Sequence, residues 1–135
     1  MLDFATLTLP SSPNTYLLAP EGLCKAAKPH AHASVYPIGP MRLAAIVRDA
    51  LVALPNAEVK ETQEGGLYLE AYQLTKRLKY RDDVTARILP TQGGATVAIY
   101  SRSRKGYWDL GVNKKRVQTL MKSIERGIAT ARAAA

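Results

Sequence analysis

The 135-residue sequence predicts an α+β domain, a two-layer sandwich in which two helices cover one face of an antiparallel sheet of about five strands. Two segments show helical periodicity, and five have the length and composition of strands. Four of those strands are joined in pairs by short turns, which favours antiparallel pairing. The predicted order is β-α-β-β-β-β-α, preceded by an extended, proline-rich N-terminal arm.

The arm is predicted over residues 1–30. Its prolines and Gly22 lie too close together for a helix or a central strand to form, at Pro10, Pro13, Pro20 and Pro29. Residues 31–132 are then expected to form the α+β core. The length is that of one ordinary domain, and no change of composition divides the chain, so we predict a single domain over residues 1–135.

A short strand and the first helix follow the arm. Val35 and Tyr36 have strand preference, which predicts a strand over Ala33–Ile38. Gly39 and Pro40 end that strand, and Pro40 suits the first turn of a helix. The helix is predicted over Met41–Leu54, because apolar residues recur every three or four positions, at Leu43, Ile46, Val47, Ala50, Leu51 and Leu54.

Two hairpins are predicted next. The first joins Ala57–Gln63 to Leu67–Thr75 through the Gly65-Gly66 turn. The second joins Asp83–Leu89 to Ala95–Ser103 through a turn that begins at Pro90.

The last helix is predicted over Asn113–Arg132, with Asn113 as a possible N-cap. Its apolar stripe consists of Val117, Leu120, Met121, Ile124 and Ile128.

The charge is concentrated near the C-terminus. The formal net charge is +8, and residues 99–135 carry nine of the 19 basic residues but two of the 11 acidic ones. A localised positive field favours anionic partners. The N-terminus has no secretory signal, and no apolar run approaches the roughly 20 residues that span a bilayer. We therefore expect a cytoplasmic protein without a membrane span.

Metal and thiol chemistry have little support in the sequence. Cys24 is the single cysteine, so no internal disulfide is possible, and it is expected to be a small apolar filler. His30 and His32 would lie on one face of a strand and could seat zinc, but no third ligand accompanies them at a known spacing. We expect neither a metal nor a cofactor.

The segment Ser101–Leu120 is the strongest candidate for a functional site. It is predicted to be a strand, a loop and a helix start, and its first sixteen residues contain six basic side chains. Alternation along the strand would send Ser101 and Ser103 to one face and Arg102 and Arg104 to the other. Cations in the first turn of a helix oppose its dipole, so an anion bound there would offset them. The alternative is that the same residues brace the loop against the helix.

The sequence Ser-Arg-Ser-Arg-x-Gly-Tyr-x-Asp-Leu-Gly-Val-Asn-x-x-Arg-Val, residues Ser101–Val117, resembles the signature of an uncharacterised bacterial family, domain of unknown function 1499. Ser12-Pro13-Asn14 resembles the second landmark of that family, and the resemblance extends over about residues 10–125. No activity or cofactor is established for the family. The resemblance therefore implies which residues matter and leaves their chemistry open. The candidate ligand-binding residues are Ser101, Ser103, Arg104, Asp109, Asn113 and Arg116.

Three functions are compatible with these observations. The leading hypothesis is a non-catalytic domain that binds an anionic or amphipathic ligand at the loop and helix start of Ser101–Arg116, with any apolar part in a groove beside the sheet. The first alternative is nucleic-acid binding through the basic C-terminal third.

The second alternative is a hydrolase-like enzyme with Ser101 or Ser103 as nucleophile. A base would have to come from a distant histidine, and the adjacent carboxylates of Asp82 and Asp83 would point apart on a strand. We therefore favour a protein that is not an enzyme.

Overall fold

A computed structural model of the protein describes residues 1–75, 80–104 and 111–134. Within them, six strands form one sheet in the order β2-β1-β6-β5-β4-β3, and two helices accompany it. The strands are β1 (Thr15–Ala19), β2 (Ala31–His32), β3 (Ala57–Gln63), β4 (Tyr68–Leu74), β5 (Arg81–Thr91) and β6 (Gly94–Ser103). The helices are α1 (Pro40–Ala53) and α2 (Val112–Ala133). The predicted α+β class with two helices is confirmed.

Both predicted hairpins are present, because β3 pairs antiparallel with β4 and β5 with β6. The short 3₁₀ turn Glu64–Gly66 joins the first pair, with Gly65 and Gly66 at positive φ. The second pair is the longest in the sheet and runs without a break from Asp82–Ser103 to Thr91–Gly94. Short turns thus explain how these four strands pair within the sheet.

The main core lies between the sheet and the helices. Alternate side chains of β5 are buried there, at Val84, Ala86 and Ile88, which is the period-two pattern of a strand with one face on a core. The apolar stripes of both helices cover them, with Leu43, Val47, Leu51, Leu120 and Ile124 almost fully buried. We call this side of the sheet the helix face.

The opposite side of the sheet, called the outer face here, carries a second apolar cluster. Phe4 from the arm packs against Leu17 and Ala19 of β1 and against Ala98 and Tyr100 of β6. Strand β6 is therefore covered on both faces, and seven consecutive residues from position 95 to position 101 are buried. The predicted extended arm is only approximate, because residues 1–30 include several turns and one strand of the sheet.

That strand is the main difference from the predicted fold. The prolines were expected to exclude a central strand from residues 1–30, but Thr15–Ala19 contains no proline and lies inside the sheet, antiparallel to β6. The strand predicted at Ala33–Ile38 is reduced to one bridge, Tyr36 with Ala95. Two residues, Ala31–His32, pair with β1 instead, and that pairing is parallel, so the sheet is mixed.

Two glycines allow close approaches between elements. A Cβ on Gly94 would lie 2.0 Å from the carbonyl oxygen of Tyr36, next to the bridge that connects this segment to β6. A Cβ on Gly127 would lie 2.8 Å from Cγ2 of Ile46, where α2 crosses α1. The close packing of the two helices therefore explains a glycine at position 127, although glycine weakens a helix.

Replacing Gly94 by Ala should lower the free energy of unfolding by about 3 kcal/mol or more, because backbone would have to move to admit the methyl group. Gly39→Ala is the matched control, since Gly39 has a negative φ and open space around its Cα. The Gly39→Ala replacement should lower the free energy of unfolding by less than about 1 kcal/mol. Urea unfolding of both variants measures the difference, and equal losses would contradict the close approach.

Candidate functional site

The most highly connected side chain of the predicted site is Arg116, which is buried beneath the first turns of α2 with 5% of its surface exposed. Its Nη2 donates to Oδ2 of Asp82 at 2.7 Å, and both side chains of this ion pair are almost completely buried. Its Nε donates to Oε1 of Gln73 at 2.6 Å, and its Nη1 donates to Ser101 Oγ at 3.0 Å and to Asn113 Oδ1 at 2.7 Å. One guanidinium thereby joins α2 to β4, β5 and β6.

Asn113 extends this network to the arm. Its side-chain oxygen accepts from the Ser101 hydroxyl at 2.6 Å, and its Nδ2 donates to Ser103 Oγ and to the carbonyl oxygen of Asn14, each at 2.9 Å. The Ser103 backbone N–H donates to the same carbonyl. The two landmarks of the family resemblance, Ser12-Pro13-Asn14 and the Ser101–Val117 motif, therefore meet in space.

We call the side chains of Ser101, Asn113, Arg116, Asp82 and Gln73 the brace. A buried ion pair is tolerated only when its remaining donors and acceptors are satisfied, and the brace supplies partners on both sides of the guanidinium. These bonds use four of the five N–H groups of Arg116, and the side chain is buried, so little of the guanidinium is left for a ligand. Gly111 takes the N-cap position of α2, so the predicted N-cap Asn113 instead points inward from the second helical residue.

The alternation predicted for the basic strand is observed, and it places Arg102 and Arg104 on the outer face. Both guanidinium groups surround Asp83: Arg104 donates to it through Nε and Nη2, and Arg102 Nε lies 3.9 Å from its Oδ2. Arg81 Nε donates to the same carboxylate at 3.3 Å and stacks over the ring of Tyr72. The hydrogen bond from Arg104 to Asp83 raises the pKa of the guanidinium above its ordinary value.

Three guanidinium groups thus share one carboxylate. We call Arg81, Arg102, Arg104 and Asp83 the arginine cluster. Asp83 shows 22% of its side-chain surface, whereas Arg102 and Arg104 show 52% and 47%. The two arginines can therefore turn toward a second anion, while Asp83 balances only part of their charge. This excess of positive charge is the chemistry that the outer face offers.

An open groove of about 620 Å³ lies beside the arginine cluster, between the arm and the outer face. Its walls include Leu2, Leu7, Leu9, Thr85, Tyr100 and Lys60, together with Arg102, Arg104 and Asp83. Apolar arm residues supply one side and charged strand residues the other. The arrangement suits a molecule that has an apolar part and an anionic end.

The six predicted site residues thus separate. Ser101, Asn113 and Arg116 belong to the brace, Arg104 belongs to the arginine cluster, and Ser103 is bonded to Asn113 at the edge of the groove. Asp109 lies outside the described residues. Sequence reasoning missed Asp82, Gln73, Asp83 and Arg102 as members of the site. It did expect the two adjacent aspartates to point apart, but it connected neither of them with an arginine.

The two histidines lie at the other edge of the sheet. Nδ1 of His30 accepts from the backbone N–H of Leu17 at 2.9 Å, and the ring stacks on Tyr16. Partial burial lowers the pKa of His30 below its ordinary value. In the described part of the chain, the hydroxyls of Ser101 and Ser103 bond to arginine and asparagine, so a serine–histidine pair is not formed there.

Two further observations concern metal binding and membrane spanning. Within residues 1–75, 80–104 and 111–134, no group of three or more His, Cys, Asp or Glu side chains could hold a metal ion. No helix among those residues combines the length and the apolar character that crossing a bilayer requires.

Removing one partner of the buried ion pair should be costly. Arg116→Met leaves Asp82 buried without its cation and should lower the free energy of unfolding by about 3–5 kcal/mol. Combining it with Asp82→Leu should recover much of that loss, because the pair is then replaced by apolar groups. Lys115→Met, on the exposed side of the same turn, should change stability by less than about 0.5 kcal/mol. Chemical unfolding of the wild type and these three variants tests this, and a double variant no more stable than Arg116→Met would contradict the coupling.

The partial burial of His30 should make stability depend on pH. Because the folded state lowers the pKa of His30, the unfolded chain binds the proton more readily, and stability falls as pH drops below about 6.5. His30→Asn should remove this part of the decline between pH 7 and pH 5, whereas His32→Asn should keep it. Urea midpoints at several pH values measure the effect, and identical profiles for both variants would show that His30 does not cause it.

The family and the fold can be compared with known proteins. The sequence profile described as protein of unknown function (DUF1499) matches residues 7–124. No curated protein matches the chain significantly. Protein CV1439 from Chromobacterium violaceum is similar in structure, with a TM-score of 0.52 and 13% sequence identity over 83% of this chain and 94% of that one.

Two other solved structures match less well. Ara h 8.0201 has a TM-score of 0.49 and 14% identity, and TTHA0849 from Thermus thermophilus has 0.43 and 15%; each match covers 73% of this chain and 95% of the other. At these identities the likeness concerns the fold alone. The family profile covers most of the chain and includes both landmarks, so the chain belongs to the DUF1499 family.

Proposed function

We propose that this protein is a non-catalytic binding domain for a small amphipathic anion, held in the groove between the arm and the outer face. The observation that carries the proposal is the arginine cluster at the edge of that groove, where three guanidinium groups share the single carboxylate of Asp83. The location differs from the one expected from the sequence, because Arg116 and the start of α2 are committed to the brace.

The charges around the groove favour an anion. Lys60 adds a cation to its wall, and Glu70 is the second acidic residue there. The hydroxyl of Tyr68 donates to Glu70, which holds that carboxylate on β4, away from the arginines of β6. A carboxylate or phosphate of the ligand could then bind Arg102 and Arg104 through charge-assisted hydrogen bonds.

The apolar part of the ligand would lie along the arm. Leu7 and Leu9 line the groove opposite the strands, and Tyr100 forms part of its floor beside Thr85. A volume of about 620 Å³ is within the usual range for small-molecule sites, roughly 300–1,000 Å³. The groove is open, so a chain longer than the site could extend into solvent.

Decanoate is a suitable probe because it combines a carboxylate with a ten-carbon chain. Replacing Arg102 and Arg104 together by Gln should weaken decanoate binding about tenfold or more, since charge-assisted bonds at the carboxylate are lost. Arg42→Gln with Arg48→Gln removes the same charge from exposed positions on α1 and should leave the affinity unchanged. Isothermal titration calorimetry measures the decanoate affinity of both variants. An equal loss of affinity in the two would mean that net charge alone causes the effect.

A second variant tests the groove without touching the charges. Thr85→Trp places a large ring on its floor and should abolish binding of decanoate and also of decanol, which lacks the carboxylate. Decanol binding should survive the two arginine replacements. If the Thr85→Trp protein is folded by circular dichroism and still binds decanoate normally, the ligand is not in this groove.

A further inference from the structure

The exposed side of α2 carries a row of cations that the groove does not use. Along this helix, the basic residues that reach solvent are Lys114, Lys115, Lys122, Arg126 and Arg132. Glu125 is the only acidic residue of the helix, and it accepts a hydrogen bond from the hydroxyl of Tyr36 at 3.1 Å. The helix therefore presents a strongly positive surface, which we call the α2 ridge.

Glu125 is the only carboxylate on the helix beside these five cations, and none of them forms an ion pair in the described part of the chain. The ion pairs found there involve Arg81, Arg87, Arg102, Arg104 and Arg116, and none of the five ridge cations. Their charge faces water on the side of the sheet opposite the groove. An anion bound at the arginine cluster would leave the charge of the α2 ridge unchanged.

The spacing of the ridge extends the charge along a line. Lys115, Lys122 and Arg126 lie seven and four residues apart, which puts them on one side of the helix. At 1.5 Å per residue the row is about 16 Å long. Gln118 and Thr119 lie between the cations and are exposed, so they can donate further hydrogen bonds. A linear row of cations along one helix suits an extended polyanion.

The rest of the helix indicates which polyanion fits. A helix that binds a membrane surface needs an apolar face to insert, but Val117, Leu120 and Ile124 are already buried in the core. Single-stranded nucleic acid is bound largely by stacking on aromatic side chains, and α2 contains none. A duplex offers one negative charge per roughly 1.7 Å of its axis and requires neither feature.

We propose that the α2 ridge binds the phosphate backbone of a double-stranded nucleic acid, without base specificity. The binding would use Lys115, Lys122 and Arg126 as phosphate contacts, with Gln118 and Thr119 between them. This function is independent of the groove, because the two surfaces lie on opposite sides of the molecule. It narrows the nucleic-acid alternative that the basic C-terminal third suggested, since the contacts are on the helix alone.

The test is a fluorescence-anisotropy titration of a labelled 25-base-pair DNA duplex from 50 to 200 mM salt. Wild-type protein should bind at 50 mM salt and lose affinity steeply as salt rises. Replacing Lys115 and Lys122 by Gln should weaken binding about tenfold or more and make the logarithmic salt slope shallower by about 2, one for each lost contact. Replacing Lys25 and Lys28 by Gln removes the same charge from the loop before β2 and should leave slope and affinity nearly unchanged.

Three outcomes would overturn the proposal. One is that no duplex binding occurs at 50 mM salt. Another is that the Lys25 and Lys28 variant loses as much affinity as the ridge variant, since net charge alone would then explain binding. The third is that vesicles containing phosphatidylglycerol bind wild-type protein and displace the duplex at low lipid concentration, which would assign the ridge to a membrane surface.

Discussion

The ion pair between Arg116 and Asp82 constrains more of this structure than any other interaction. Taking a guanidinium and a carboxylate out of water costs several kcal/mol for each ion, and their attraction offsets that cost only in good geometry. Here the geometry depends on α2, β5, β6 and β4 together, because Ser101 and Gln73 satisfy further donors of the same guanidinium. The position of α2 on the sheet is therefore fixed by polar bonds at its start and by apolar packing along the rest of its length.

The same constraint explains how one short motif can have two roles. Alternation along β6 sends Ser101 and Ser103 to the helix face, where they meet the brace, and sends Arg102 and Arg104 to the outer face. The brace thereby holds the backbone from which the two arginines project. Binding groups that are held in place before a ligand arrives lose less entropy on binding, so the structural network on one face would support the proposed binding surface on the other.

Much of the fold could be predicted because it depends on local patterns. The bounds of β3 and of both helices agree with the sequence to within one residue, since periodicity and turn residues mark them directly. Strand β1 was missed because prolines on either side suggested an irregular arm, whereas the strand needs only five of the six residues between Pro13 and Pro20. Its place inside the sheet depends on pairing with β6, a contact about 80 residues distant that no local pattern records.

The site was harder to predict for the same reason. The charge and spacing of the motif drew attention to the right segment, but the partner of Arg116 lies 34 residues earlier, one residue before the predicted start of its strand. Once β5 is known to continue through both residues, alternation sends Asp82 to the brace and Asp83 to the arginine cluster. A basic motif therefore does not by itself indicate a ligand. What decides between bracing and binding is whether each cation meets a buried carboxylate across the sheet, and in this chain that condition separates Arg116 from Arg102 and Arg104.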